Sequence, residues 1–505
     1  MTVKVMHRLF ALIMTILMLA SMNTALAVDD GYPSTYTYNY DYWSDIRETP
    51  DAYYVSDVIY SGELGLDVAM KKPQSLFVRN NDLYVVDTGN NRILQLRREG
   101  DTFSLVRVID KIQGSDVATF NNPNDVFVDE AENIYVADTN NGRVVMVDKD
   151  LNFIKDFTKP ADATFDQSLS FLPNKLVVDV SGRVFLLATN VNKGLAKFEA
   201  DGSFTGFVGA NKVSYNIAEY IWKNYFMTKE QREQQASFVP TEYHNIYIDP
   251  ESFIYATNTI FSEYDLLWDV AQPIRRLNGI GNDILIKNDR YPPIGDLTWV
   301  EGSVTLGPSK LVDITVLDND IYVAVDKTRG RIFGYDSQGV MLWAFGTTGS
   351  SEGAFKYATS IEHMGKDLFV LDQNEGSITV FTPTEYGELI YKATTQYLSG
   401  EYDASADTWR EVLRLNANYN LAFIGIGRSL MRQEKYKEAM DYFEMANDRD
   451  NYGRAFRFYR AEMVEQNIIW MVLVLAAVLL IPVVLKMIKK MRMEVEAYER
   501  NQVHK

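Results

Sequence analysis

From residue 53 to about residue 384, short apolar runs alternate with tight polar turns, and the whole pattern repeats. Each repeat opens on a brief apolar run: LFV (76–78), VFV (126–128), LVV (176–178), IYI (246–248), ITV (314–316) and a weaker IEH (361–363). A second run then starts on an aromatic residue, at Tyr84, Tyr135, Phe185, Tyr255, Tyr322 and Phe369, with spacings of 51, 50, 70, 67 and 47 residues. Third runs such as RILQL, RVVMV and SITVF follow, and most repeats add a fourth, such as FSLVRVI (103–109). Four short strands with turn signals roughly every eight to twelve residues predict an antiparallel blade. A lone blade leaves both faces bare, whereas six packed around an axis cover one another and leave only short edges. The predicted fold class is therefore mainly β, a six-bladed β-propeller over 53–384, followed by a short α-helical solenoid and one transmembrane helix.

Two departures from the period are informative. The 70-residue gap holds VSYNIAEYIWKNYFMTKEQREQQASF (213–238), whose Ile217, Tyr220, Ile221 and Tyr225 share one helical face, which predicts a helical insertion on the rim. The last repeat is one strand short, because a helical pattern follows SITVF directly. YYVSDVIYSG (53–62) has strand character and no partner of its own, so it is expected to close the ring by completing the sixth blade.

From 385 to 467 the apolar period becomes helical. GEYDASADTWREVLRLN and EKYKEAMDYFEMAN align at an offset of 34 residues, which places Tyr402 with Tyr436, Trp409 with Phe443 and Ala393 with Gly427. Two such helical repeats and the helix 453–467 make a short solenoid. Its face either binds a peptide or protein or braces the propeller. Residues 468–485, IIWMVLVLAAVLLIPVVL, then run eighteen positions without a charge. That length spans about 27 Å as a helix, close to the hydrocarbon thickness of a bilayer. Lys486, Lys489, Lys490 and Arg492 follow, marking 486–505 as a cytoplasmic tail.

At the other end Lys4 and Arg8 precede an apolar run to Ala20, and Ala25-Leu26-Ala27 offers a small-residue cleavage pattern. Residues 1–27 read as a secretory signal peptide, removed on export or retained as an anchor. The expected location is a cell membrane, with the N-terminal domain outside. Residues 28–52 are rich in tyrosine (36, 38, 40 and 42) and read as a linker, or as a strand offered to a partner. The net charge of −18 becomes about −23 for the exported part once the signal (+2) and tail (+3) are set aside. So acidic a surface excludes nucleic-acid binding. The chain has no cysteine, which removes disulfides, thiol catalysis and thiolate metal sites.

Aligning the repeats identifies the residues that ring one mouth of the central channel. Candidate binding residues are Ser75, Asn124, Asp125, Lys175, His244, Asn245, Asp313 and Ser360. Asp125, Asn245 and Asp313 carry oxygen donors of the kind a Ca2+-like divalent ion takes, although such residues at strand starts also bond to local backbone. The pair Asp87 and Arg92, in YVVDTGNNRILQL, reads as a hairpin-turn brace, with Gly89 supplying a positive φ.

The pattern P-x-x-(strand)…Y-V-x-D-T-x-N-x-R-(strand) in Pro73–Leu96 and Pro123–Val147 resembles the NHL repeat, and the 34-residue helical offset resembles the tetratricopeptide repeat. The overall plan resembles bacterial envelope proteins, some of them linked to sugar uptake. These resemblances imply a binding or scaffold protein, without catalysis or cofactor. Its partner would be a membrane protein or other protein, with a glycan or peptide ligand, and it would serve as an accessory to a membrane transport complex. The alternative is a hydrolase resembling gluconolactonases, with a divalent ion at the channel mouth.

Overall fold

In the computed structural model the described residues are 37–503, except 42, 44, 163, 164, 166, 169, 190, 192, 210–242, 269, 288–291, 298, 302 and 303. The signal segment and the insertion 213–238 lie outside them. The chain divides into two compact units at Tyr391/Lys392.

The first unit is a six-bladed propeller. Blade one comprises the strands Ser75–Arg79, Asp82–Asp87, Arg92–Glu99 and Thr102–Ile109, and blades two and three repeat this four-stranded order. Blade four shows three strands among the described residues, Tyr243–Ile248, Ile254–Asn258 and Ile274–Leu277. Alternating side chains of neighbouring blades interlock. For example, Leu83, Val85 and Leu94 of blade one pack with Phe369, Leu371 and Ile378 of blade six, all at 3% exposure or less. Burial on both faces explains why these strands read as nearly continuous apolar runs.

Closure follows the sequence expectation. Tyr53–Tyr60 pairs antiparallel with Ser377–Pro383, from Tyr60↔Ser377 to Tyr53↔Pro383, and supplies the fourth strand of blade six.

The tyrosine-rich segment requires a correction. From Thr37 onward it is neither a linker nor a strand for a partner. Thr37–Tyr40 and Ile46–Thr49 form a hairpin that extends blade five of the same chain to six strands. Only Tyr38↔Ala344 is in register with that blade, so side chains do most of the fastening. Tyr38, fully buried, donates its hydroxyl to both oxygens of the buried Asp296 (2.9 and 2.8 Å), Tyr40 donates to the same carboxylate, and Asn39 Nδ2 donates to Leu342 O at 3.1 Å. The alternation of tyrosines was the visible signal. Its acceptor lies 256 residues or more away in sequence and was not.

The second unit is helical, with helices Tyr402–Leu415, Asn420–Arg432, Tyr436–Met445 and Arg449–Val503. Small residues seat aromatic rings across the helix pairs. Gly425 lies against Trp409, and a Cβ on Gly427 would stand 2.6 Å from the Phe443 ring. The last helix is long and apolar enough to cross a membrane. Its most apolar stretch has a mean hydropathy of 3.1, is not buried, and includes Pro482.

Candidate functional site

A repeated backbone irregularity builds the channel mouth. In blades two to six the register between the first and second strands shifts at the start of the inner strand, between Pro123/Asp125, Pro173/Lys175, Tyr243/Asn245, Leu311/Asp313 and Ala358/Ser360. Such a bulge re-aims the residue that follows it. The recurrent Asp-Thr turn holds the bulge of the next blade. Thr88 Oγ1 donates to Pro123 O and Thr139 Oγ1 to Pro173 O, each at 2.7 Å. The spacing of Pro and Asp-Thr in the repeat thus records a contact between blades.

Six of the eight predicted residues, Ser75, Asp125, Lys175, Asn245, Asp313 and Ser360, come together as one ring, all at most 7% exposed. Ser75 Oγ donates to Asp125 Oδ1 (2.6 Å), whose Oδ2 accepts the backbone N–H of Leu176 in blade three (2.9 Å). Asn245 Nδ2 donates to Asp313 Oδ1, while Asp313 Oδ2 accepts from Ser360 Oγ (2.6 Å) and the N–H of Ile361 (2.8 Å) in blade six. Ser360 Oγ in turn accepts the N–H of Leu76 in blade one at 3.0 Å. Lys175 reaches from blade three to Ser75 Oγ at 3.0 Å, and its ammonium lies 3.7 Å from Asp125.

The other two residues sit on the bulges, outside the ring. Asn124 Nδ2 donates to Thr139 Oγ1 at 2.8 Å. His244 Nδ1 lies 3.0 Å from Val312 O and must carry the proton, because a carbonyl only accepts. Burial and the Lys327 and Lys175 ammoniums push its pKa down to about 4, so it is neutral near pH 7.

The donor set does not fit a divalent ion. Both oxygens of Asp125 and of Asp313 already accept hydrogen bonds, and Lys175 places a positive charge beside them. Among the described residues no group of three or more His, Asp or Glu is arranged to hold a metal. The carboxylates act as clasps between blades. Burial pushes the Asp313 carboxyl up to about 6, against the pull of Lys175 and its hydrogen-bond donors.

One functional candidate was missed. Glu362, 7% exposed, stands two residues beyond Ser360 on the same strand, so the alternation of strand faces turns it toward the channel as well. The weak apolar character of IEH concealed it. Its Oε2 accepts from Thr315 Oγ1 and the His363 N–H, both at 3.2 Å. Burial, then the nearby Asp313, pushes its pKa well above the carboxylate range. Thr315 Oγ1 also meets His363 Nδ1 at 2.7 Å, and burial holds that imidazole at about 4.

The Asp87–Arg92 pair lies away from the channel. It is not the exposed turn contact that a surface hairpin would give. Asp87 is fully buried and accepts from Arg92 Nε (2.7 Å), Asn90 Nδ2 (2.9 Å) and the Lys71 N–H (2.7 Å). The residue with positive φ is Asn91 (φ 54°), not Gly89. Gly89 instead lets the turn approach the backbone of Lys71, whose carbonyl its N–H meets at 2.8 Å.

The NHL repeat family model matches residues 120–145. None of the curated proteins compared with the chain matches it. Among solved structures, a streptogramin B lyase is similar at 12% identity, with 66% of this chain and 100% of that one covered and a TM-score of 0.40. A virginiamycin B lyase from Staphylococcus aureus, solved with quinupristin, is similar at 11% identity (65% and 99% covered, TM-score 0.39). A protein described as a putative gluconolactonase is similar at 9% identity (66% and 94% covered, TM-score 0.38).

Proposed function

We propose that the protein is a membrane-anchored, extracytoplasmic binding or scaffold protein. Its propeller and tetratricopeptide-like helices engage a protein or glycan partner, as an accessory to a membrane transport complex. The observation that carries this reading is the state of the channel mouth. Every carboxylate oxygen of its ring is committed to a neighbouring blade, and Lys175 bridges the ring. A hydrolase would keep such groups free for an ion or a water. The long apolar helix supports anchoring, and the aromatic residues seated on Gly425 and Gly427 support a rigid helical face.

The test uses the full chain in native membranes. Alkaline carbonate should leave it in the pellet, and protease added from outside should digest the propeller but spare the tail. A photo-crosslinker on the helical face between Tyr402 and Met445 should capture one recurrent membrane protein. Release by carbonate, or turnover of a lactone lost in Asp125→Ala, would overturn the proposal.

A further inference from the structure

The ring borders a cavity of about 40 Å³. Its lining combines ring residues such as Asp125 and Asp313 with Phe77, Phe127, Tyr247 and Glu362, which lie two residues further along their strands than the ring positions. Three features make this lining unusual. Phe77, Phe127 and Tyr247 pack against the blade cores yet are only half buried, so each keeps surface toward the cavity. Phe77 and Phe127 stand with ring centroids 4.8 Å apart. Glu362 is more than nine-tenths buried, yet only its Oε2 is hydrogen-bonded among the described residues. Among the described residues Oε1 has no hydrogen-bond partner, and the side chain lines the cavity.

A carboxylate oxygen that opens onto a partly desolvated cavity, with no donor of its own, attracts a cation or a proton. Aromatic faces attract cations through the negative face of the ring. The nearby charges point the same way. Asp125, Asp313 and Glu362 face the cavity, and the adjacent ring contributes the single ammonium of Lys175, already committed to Ser75 and Asp125. The cavity's small volume suits an ammonium head with one or two carbons.

We infer that this cavity binds a primary ammonium group, with Glu362 as its counter-ion and Phe77, Phe127 and Tyr247 as an aromatic wall. The group can belong to a small free alkylamine or to the tip of a lysine side chain.

Burial, then the nearby Asp313, raises the pKa of the Glu362 carboxyl well above the carboxylate range, which favours its protonated form. A cation entering the cavity displaces that proton to solvent. The neighbouring His363 is neutral, held at about 4, and does not compete for the cation. Binding therefore releases a proton and strengthens as pH rises.

The experiment is calorimetric titration of the full chain in detergent micelles. The probes are ethylammonium chloride, ethanol as the neutral isostere, sodium chloride, and Nα-acetyl-lysine amide against its norleucine counterpart. Ethylammonium should saturate, with a heat that changes with the ionisation enthalpy of the buffer, and ethanol and sodium should not. Glu362→Gln should weaken binding by at least about tenfold and remove the buffer dependence, and Phe127→Leu should weaken it by about threefold or more. The Phe127 variant keeps the test open if the Glu362 variant does not fold. Equal binding of the lysine amide identifies a protein side chain as the source. Its exclusion, with ethylammonium still bound, identifies a free amine. Absence of saturable ethylammonium binding, or unchanged binding in Glu362→Gln, overturns the inference.

Discussion

Asp313 of blade five accepts the backbone N–H of Ile361 in blade six at 2.8 Å. A side chain thus satisfies a main-chain donor of the next blade, as Asp125 does for Leu176. Asp313→Ala would strip the acceptor from Ile361, from the Ser360 hydroxyl and from the Asn245 amide together. Stability should fall by about 2–4 kcal/mol, as for other buried charged acceptors. Urea unfolding followed by near-ultraviolet circular dichroism measures this, and a loss near zero would refute the clasp.

The same residue gives a pH dependence with a definite sign. Its carboxyl titrates at about 6 in the folded chain, against an ordinary value of 3.8, so folding favours the protonated form. The contribution is complete below pH 3.8 and is lost as pH rises through 6. Between those limits this group should remove up to about 3 kcal/mol of stability. Glu362 acts in the same direction. Comparing unfolding midpoints at acid and neutral pH, in the parent and in Asp313→Ala, isolates the Asp313 share. An identical slope in both would sink the assignment.

Blade number, the closing strand and six ring residues were legible in the sequence because all follow from one period. An alignment on the first apolar strand of each repeat places Ser75, Asp125, Lys175, Asn245, Asp313 and Ser360 immediately before it, at equivalent positions. What the period cannot convey is commitment. Asp125 and Asp313 look like free ligands until the bulges aim them at backbone donors on other blades. Glu362 was hidden because a buried acid breaks the apolar strand pattern used to find strands. The hairpin of Tyr38 and Tyr40 was hidden because its acceptor, Asp296, lies outside any repeat position.

The Asp-Thr turn separates two roles that a glycine and an asparagine are often assumed to exchange. Gly89→Ala would drive a methyl into the Lys71 carbonyl and should destabilise by about 1–3 kcal/mol. Asn91→Gly relieves a left-handed residue and should change stability by less than about 1 kcal/mol, since Gly142 already fills the equivalent place in blade two. Thermal midpoints of the two variants should differ in that order. The reverse order would show that the close approach of position 89 to Lys71 is not the decisive feature of the turn.

The hairpin on blade five should be released by removing two oxygen atoms. Tyr38→Phe alone should lose about 1–2 kcal/mol, and the double variant with Tyr40→Phe should leave Asp296 short of both hydroxyl donors. Hydrogen exchange at residues 37–40 and 46–49 should accelerate in the double variant, while strands 53–60 and 377–383 keep their protection. Unchanged exchange at the hairpin would show that the backbone, and not the tyrosines, holds it.

Closure by the strand Tyr53–Tyr60 also orders events in time. Apart from the hairpin on blade five, the ribosome makes that strand before any other of the blades, and its partner, Ser377–Pro383, arrives more than 300 residues later. Joining ends so far apart has a loop entropy of about 5 kcal/mol, which the preceding blades reduce as they stack. The nascent chain therefore holds an unpaired strand in waiting through the synthesis of five blades. The Thr384 N–H then bonds to Ala52 O at 3.0 Å, so the seam is sealed at the residue that leads into the helices. Premature release of the chain before residue 383 would leave an open edge and an incomplete ring, a defect of synthesis that no later refolding of the missing strand could repair.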